Sequence, residues 1–268
     1  MSSHTESVEA HHRAIQQEYR RQAAGWGQGG VTDIMRWIAE QVDFQPSMDV
    51  LDLAAGTGIF ARTVAKQVRS VVALDLTDEM LARGRERASE EGLTNVTFVQ
   101  GPAETLPFND GTFDVVVTRY SVHHFVDPLP IFREVRRVLR PGGVALLVDM
   151  VADEDPEIAD RHNYLERIAD TTHTHILAPS QFVATLAHAG LRLAKYFALD
   201  VALEFDDWQS YLTPDSAEKL EIRRVLEAEL AGGARSGMRP FVENGELKFK
   251  HTWGIFVATN GIDALLSF

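Results

Sequence analysis

The stretch Val50-Leu-Asp-Leu-Ala-Ala-Gly-Thr-Gly-Ile-Phe-Ala61 decides the fold of this chain. A short apolar run ends in two glycines, and a helical pattern of apolar residues follows over residues 59–68. A strand, a glycine turn and a helix in this order bring the backbone close to a ligand at the helix N-terminus. Asp75 ends the next apolar run, at the distance of about 20 residues where a carboxylate that binds ribose hydroxyls is expected.

The same alternation of apolar runs and helical patterns continues along the chain. The predicted strands are 50–53, 71–75, 96–99, 113–118, 144–148, 191–203 and 252–258, and the predicted helices of the first half are 59–68, 79–91 and 132–139. Strands that are apolar on both faces indicate a parallel sheet covered by helices on both sides. We therefore predict an α/β fold, Rossmann-like and doubly wound, with a mostly parallel seven-stranded sheet. Further helices predict insertions after the fifth strand and before the last strand.

Composition excludes several classes of protein. The net charge of −13 makes nucleic acid an unfavourable partner, and the absence of cysteine excludes disulfides and thiolate chemistry. No apolar run approaches the roughly 18 residues of a membrane-spanning helix. The first residues lack the basic start and apolar stretch of a secretory signal. We expect a cytoplasmic protein with no membrane span.

Two ligand classes fit the glycine turn, and Asp52 discriminates between them. Gly56, Gly58 and Ala61 also satisfy the G-x-G-x-x-A pattern of dinucleotide-binding proteins. A carboxylate at Asp52 would repel the two phosphates of a dinucleotide. It suits S-adenosylmethionine, which carries an ammonium and a sulfonium and no phosphate. A plain βα turn with capping residues is the alternative without any ligand.

Five ordered motifs carry a family resemblance over residues 45–150. They are residues 52–61, 74–81, 101–108, 113–116 and 139–143. Together they resemble class I S-adenosylmethionine-dependent methyltransferases, and among these the ubiquinone/menaquinone methyltransferase-like group of the methyltransferase domain 11 type. The resemblance implies S-adenosyl-L-methionine as cofactor and S-adenosyl-L-homocysteine as product. The cofactor-binding set that we predict is Asp52, Ala54, Gly56, Gly58, Asp75, Leu76, Met80, Ala103, Glu104 and Arg119.

The resemblance also gives these residues roles. The two glycines approach the methionine part, Asp75 holds the ribose diol, and Met80 packs on the adenine. Ala103 and Glu104 lie at the adenine edge. This chain has Pro102 where many relatives carry an aspartate that accepts a hydrogen bond from the adenine amino group. Adenine selectivity must then depend on the backbone or on Glu104.

Three histidines are the predicted catalytic residues. His123 and His124 follow the fourth strand, at the sheet edge where ligands of parallel sheets bind, and His173 lies in the insertion after the fifth strand. Each can polarise or deprotonate an acceptor, and the alternative is a place in the pocket wall or a helix cap. Transfer from a sulfonium needs no metal, so we predict none. His162, His173 and His175 invite a metal interpretation, but pocket-lining or exposed positions are favoured. We expect Trp253 in the core, because it lies in a predicted strand.

We predict one domain over residues 1–268. Residues 1–45 form a helical N-terminal cap that closes as a lid over the cofactor, with glycines 25–30 as its hinge. Residues 46–150 form the cofactor-binding core, and residues 151–268 supply acceptor-side helices and the last strands. The predicted reaction is in-line transfer of a methyl group to a small organic acceptor. Two alternatives remain open: a protein that binds S-adenosylmethionine or S-adenosylhomocysteine without transfer, and a sulfonium-assisted cyclisation or rearrangement. A monomer or homodimer is expected.

Overall fold

The computed structural model describes residues 2–22, 33–210 and 216–261. The helices are α1 (Ser2–Gln22), α2 (Asp33–Ala39), α3 (Ile59–Val64), α4 (Asp78–Glu90), α5 (Pro128–Val138), α6 (Pro156–Ala169), α7 (Pro179–His188), α8 (Phe205–Ser210) and α9 (Ser216–Leu230). The strands are β1 (Asp49–Leu53), β2 (Ser70–Asp75), β3 (Val96–Gln100), β4 (Phe113–Arg119), β5 (Leu139–Met150), β6 (Arg192–Glu204), β7 (Phe241–Glu243) and β8 (Glu246–Thr259). The predicted hinge at glycines 25–30 lies outside the described residues.

One sheet runs through the described part of the chain, in the order β3-β2-β1-β4-β5-β8-β6. The strands from β1 to β5 pair in parallel, and β8 runs antiparallel between β5 and β6. The α/β, doubly wound and mostly parallel fold is therefore confirmed. The sheet has one strand more than predicted, because β7 also pairs with β8. Three residues are too short for an alternating pattern to be recognised in the sequence.

Both faces of the central strands are buried, which explains their apolar sequence. Leu51 and Leu53 of β1 belong to an apolar cluster that includes Phe132 of α5 and Phe182 of α7. Val50 points the other way, into a cluster with residues of α2 and α3. A residue in a strand alternates between faces, so helices on both sides require apolar residues at successive positions.

Element boundaries differ from the prediction where a cap or a turn decides them. α5 begins at Pro128, four residues before the apolar residue Phe132, since the Asp127 side chain accepts a hydrogen bond from the Leu129 amide. Proline at the first helical position is favoured because its missing N–H has no partner there in any case. β5 begins at Leu139, five residues before the predicted start at residue 144, and includes the glycines 142 and 143.

The additions to the sheet lie where they were predicted. α6 and α7 follow β5, and α8, α9 and β7 precede β8. A third apolar cluster, which includes Leu165, Phe205, Leu226 and Phe249, joins α6, α8 and α9 to β8. No helix of the described ranges is long and apolar enough to cross a membrane.

Candidate active site

A cavity of about 400 Å³ lies where β1, β2 and β4 end. Eight of the ten predicted cofactor-binding residues line it: Ala54, Gly56, Asp75, Leu76, Met80, Ala103, Glu104 and Arg119. Its volume falls within the range of about 300–1,000 Å³ that is typical of small-molecule pockets. The carboxyl ends of parallel strands are where open α/β sheets bind ligands. The sequence motifs thus converge on one site.

Asp52 and Gly58 are in the predicted set but do not line the cavity. Asp52 is 2% exposed, and its Oδ2 accepts a hydrogen bond from the Ala61 amide at 2.9 Å. Burial raises the pKa of Asp52 to about 7. Gly58 has φ 66°, and a Cβ there would lie 2.9 Å from Cε1 of Phe98. Both residues shape the loop and the start of α3, which corrects the expectation that the Asp52 carboxylate faces the ligand directly.

Asp75 connects the glycine loop to the end of β2. Its Oδ2 accepts from the Gly56 amide at 2.7 Å, and its Oδ1 accepts from the Thr77 amide at 2.8 Å. Burial raises the pKa of this carboxyl, although both amides oppose the shift. A carboxylate has about four lone-pair sites, so each oxygen keeps capacity for a further donor. The residue is therefore equipped to accept two more hydrogen bonds from a diol.

Two non-glycine residues at the cavity have left-handed backbones. Ala54 follows β1 and Tyr120 follows β4, and both have φ 54°. Such residues cost free energy and are concentrated at functional sites. Arg119, next to Tyr120, stacks its guanidinium 4.5 Å from the centre of the Tyr120 ring.

Helix α1 lies across the cavity and is held by polar contacts. His12 Nε2 donates to Glu104 Oε1 at 3.0 Å, and Gln16 Nε2 donates to the Leu76 carbonyl at 3.1 Å. His11 Nε2 donates to the carbonyl of His124 at 2.8 Å. These side chains lie along one face of the helix, together with Ile15 and Tyr19, which also line the cavity.

Polar groups in the cavity fit a charged, amine-bearing ligand. Within the described part of the chain, Oε2 of Glu104 and the hydroxyl of Tyr120 are buried and have no hydrogen-bond partner. No carboxylate among the described residues forms an ion pair with Arg119, which faces the same cavity. Buried polar groups in proteins are nearly always satisfied, so a ligand with donors and a carboxylate matches this set.

The three predicted catalytic histidines lie together, but only His124 lines the cavity. The ring centres of His123 and His124 are 4.2 Å apart, and those of His123 and His173 are 5.3 Å apart. His173 is buried and its Nε2 donates to Oδ1 of Asn163 at 3.3 Å. His123 and His173 therefore lie behind His124, which corrects the expectation that all three face an acceptor.

Asp149, at the end of β5, holds this group of histidines. It is 1% exposed, and its Oδ1 accepts from Nδ1 of His123 at 2.5 Å. Its carboxylate also accepts from the amides of Ser121, Val122 and Met150. Burial disfavours the charged form of His123, but Asp149 outweighs it and raises the pKa of His123. The pKa of Asp149 is lowered because His123 and the amides outweigh its burial.

His124 is neutral and its tautomer follows from its partners. Nδ1 donates to the carbonyl of Thr172 at 3.0 Å, which leaves Nε2 to accept from the Tyr19 hydroxyl at 2.7 Å. Burial and the neighbouring His123 lower the pKa of His124 to about 4. Burial raises the pKa of Tyr19, so its hydroxyl stays protonated. The Tyr19–His124 pair links α1 to the strand end at the cavity wall.

Sequence reasoning missed four other residues. Trp253 was expected in the core, but it lines the cavity with its ring 4.5 Å from that of Tyr120. Its strand, β8, is antiparallel, so its middle lies beside the end of β5. Asp149 could have been found from its position at a strand end. Glu166 and His251 form a buried group with His162. His162 therefore belongs to a different group from His173 and His175, with which the sequence analysis grouped it.

Comparison with known proteins agrees with this geometry. The methyltransferase domain family matches residues 51–147. An uncharacterized methyltransferase of Bacillus subtilis, YcgJ, is 37% identical over 180 residues, which are 67% of this chain and 71% of the relative. The glycine/sarcosine/dimethylglycine N-methyltransferase of Actinopolyspora halophila is 32% identical over 82% of this chain and 39% of its own. The crystal structure of YcgJ has a TM-score of 0.78, with 85% of this chain and 98% of that chain covered.

The family match and the relatives therefore identify a methyltransferase with a Rossmann-like fold. The chain belongs to the methyltransferase domain family, and it uses S-adenosylmethionine as its methyl donor. The fold alone does not specify the reaction, because the [4+2]-cyclase SpnF has the same fold, with a TM-score of 0.62 and 21% identity.

Proposed function

We propose that the cavity under α1 binds S-adenosylmethionine and that the protein transfers its methyl group to a small, largely apolar organic acceptor. The observation that carries this proposal is the convergence of eight motif residues on one cavity at the strand ends. When bound, the cofactor supplies an electrophilic methyl group on a sulfonium. The protein then contributes alignment and exclusion of water.

The polar groups of the cavity divide between the parts of the cofactor. Asp75 has acceptor capacity for the two ribose hydroxyls, and Arg119 offers its guanidinium to the carboxylate of the methionine part. Met80 is 1% exposed and lines the cavity, which supports its packing against the adenine. Ala54 and Gly56 bring the loop backbone close to the ligand.

Glu104 takes the role that Pro102 cannot fill, that of an acceptor for the adenine amino group. Its Oε1 accepts from His12, and its buried Oε2 has no partner among the residues that the structure describes. The free oxygen is an acceptor for the adenine amino group. The pKa of Glu104 is lowered, since contacts with His12 outweigh the effect of burial, so the carboxylate is ionised at neutral pH.

The remaining wall of the cavity favours an apolar acceptor. Tyr120, Phe125 and Trp253 provide aromatic surface, and His124 provides the polar atom beside them. At neutral pH, Nε2 of His124 carries a lone pair that is shared with the Tyr19 hydroxyl. We assign His124 the role of orienting the acceptor, with Tyr19 as its positioning residue. His123, Asp149 and His173 act through His124 and hold its ring in place.

Calorimetric titration with S-adenosylmethionine, S-adenosylhomocysteine and NAD tests the cofactor assignment. We expect micromolar binding of the two sulfur compounds and none of NAD. Methyl transfer is then tested by incubating the protein with labelled S-adenosylmethionine and fractionated small-molecule extracts. Label in a released product supports transfer, while tight binding with no labelled product in any fraction favours the binding protein without transfer. Conversion of an acceptor without methyl incorporation supports the cyclisation alternative.

Replacing Tyr19 by phenylalanine removes the hydroxyl group that donates a hydrogen bond to Nε2 of His124. One neutral hydrogen bond contributes about 0.5–1.5 kcal/mol. We therefore expect cofactor affinity, measured calorimetrically, to fall by about 2- to 13-fold. Tyr164→Phe is the matched control, because Tyr164 is 50% exposed on α6. Equal affinities of Tyr19→Phe and the control protein would refute the role of this hydrogen bond in holding α1 over the cofactor.

A further inference from the structure

A second group of ligating side chains lies outside the cavity, between α6 and β8. His162 and Glu166 are one helical turn apart on α6, and His251 lies on β8. Their side chains are 2%, 6% and 4% exposed. One nitrogen or oxygen atom from each of the three lies within 4.8 Å of the other two. None of them lines the cofactor cavity.

The three groups converge on one atom, Oε1 of Glu166. Nε2 of His251 is 2.8 Å from Oε1 of Glu166, and Nε2 of His162 is 3.5 Å from the same oxygen. Their orientations are nevertheless not those of hydrogen bonds. Among the described residues, both nitrogens and Oε1 are buried without a hydrogen-bond partner. Buried polar atoms are nearly always satisfied in proteins, so these atoms point to a partner beyond the described residues, such as a bound ion.

The separations match those of ligands around one small ion. Ligands at about 2.0–2.1 Å from a tetrahedral zinc ion are about 3.3 Å from each other. The two separations in the structure, 2.8 and 3.5 Å, lie on either side of this value. Two imidazoles and one carboxylate form a ligand set of transition metals, whereas calcium and magnesium prefer oxygen alone.

We propose that His162, Glu166 and His251 bind a divalent transition-metal ion of the zinc type. The ion fastens the insertion helix α6 to β8. It also offsets the negative charge of a carboxylate that is otherwise buried between two imidazoles. This differs from the expectation of no metal, and it concerns a different set of residues from the histidines noted in the sequence.

The surroundings of the trio are built to exclude water. The ring of Phe249 packs 5.0 Å from that of His251, and the ring of Trp208 lies 6.2 Å away. Gly237 has φ 86°, and a Cβ there would lie 2.8 Å from Cβ of His162. Glycine therefore allows the chain to cross directly over the His162 side chain. A site closed in this way loads its ion during folding.

Cobalt provides the probe, since Co²⁺ in a site with imidazole ligands absorbs visible light. Tag-free protein is unfolded in a denaturant that contains a chelator, and the chelator is then removed. It is then refolded with and without Co²⁺ or Zn²⁺. We expect one equivalent of metal by mass spectrometry, a visible Co²⁺ spectrum that Zn²⁺ displaces, and a higher melting temperature than that of the metal-free protein. Wild-type protein that refolds and retains no stoichiometric ion would overturn the proposal.

Glu166→Gln and His251→Gln test the ligands, with His188→Gln as the matched control at an exposed position of α7. We expect the first two to bind Co²⁺ at least about 100-fold more weakly, and the control to bind it as wild type does. Circular dichroism checks that each variant is folded. Glu166→Gln changes no side-chain volume, so it stays informative if His251→Gln fails to fold. Folded Glu166→Gln with wild-type affinity for Co²⁺ would refute the site.

Discussion

Replacing Asp75 by alanine is expected to weaken the binding of S-adenosylmethionine by well over tenfold. Asp75 lies at the end of β2, lines the cavity and keeps acceptor capacity on both oxygens. A hydrogen bond to a charged acceptor is worth about 1.5–3 kcal/mol, and the diol can make two of them. The same substitution also frees the amides of Gly56 and Thr77, which loosens the loop that approaches the ligand.

Two further variants separate these effects. Asp75→Asn keeps one oxygen acceptor and the side-chain volume, so we expect a smaller loss of affinity than in Asp75→Ala. Asp43→Asn is the control, because Asp43 is an exposed aspartate before β1. Affinity is measured by calorimetry, and thermal unfolding checks that each variant is folded. Wild-type affinity in a folded Asp75→Ala protein would show that the motif is misassigned.

Replacing Asp149 by asparagine is expected to lower the free energy of unfolding by about 3–5 kcal/mol, the usual cost of breaking a buried ion pair. Every partner of the carboxylate among the described residues is a donor: His123 Nδ1 and the amides of Ser121, Val122, His123 and Met150. The amide group of asparagine must turn its own donor toward one of them. The loss is measured by urea unfolding, with Asp43→Asn as control, and a loss below about 1 kcal/mol would contradict the proposed pair.

This pair also predicts how stability depends on pH. The pKa of His123 is raised in the folded protein, so its contribution is complete below the unfolded value of about 6.5 and is lost as pH rises through the folded value. The pKa of Asp149 is lowered, so its contribution is complete above about 3.9 and is lost as pH falls through its folded value. The difference between wild type and Asp149→Asn should therefore be largest between about pH 4 and 6.5. A difference that grows steadily above that window would contradict the assignment.

The sequence predicted the features that depend on residues close together in the chain. The glycine loop and Asp75 lie within one βαβ unit, so spacing alone predicted that they would lie close together, and Gly56 and Asp75 both line the cavity. Asp52 was recognised as part of the loop, but its direction was not, because a residue's type does not reveal which of its neighbours it faces. Its carboxylate bonds to the amide of Ala61, nine residues further on.

Contacts between distant segments were beyond sequence reasoning. His123 meets Asp149 because β4 and β5 are adjacent, and sequence gives this neighbourhood only after the strand order is known. Trp253 was misplaced because strand residues were assumed to face the core. Because α6 packs against β8, Glu166 lies near His251, which is 85 positions later in the chain. No spacing rule predicts a contact between residues so far apart.

The polar attachment of α1 has a kinetic consequence. The helix covers a cavity that must exchange its contents after every reaction, and it is held there by hydrogen bonds from His11, His12, Gln16 and Tyr19. Each such bond contributes only about 0.5–1.5 kcal/mol, so the bonds can break one at a time. When the helix departs, water can form a hydrogen bond with each of the exposed groups. Apolar contacts would have no such replacement in water. We therefore expect the exchange of ligands, and not the transfer step, to depend on how quickly α1 leaves and returns.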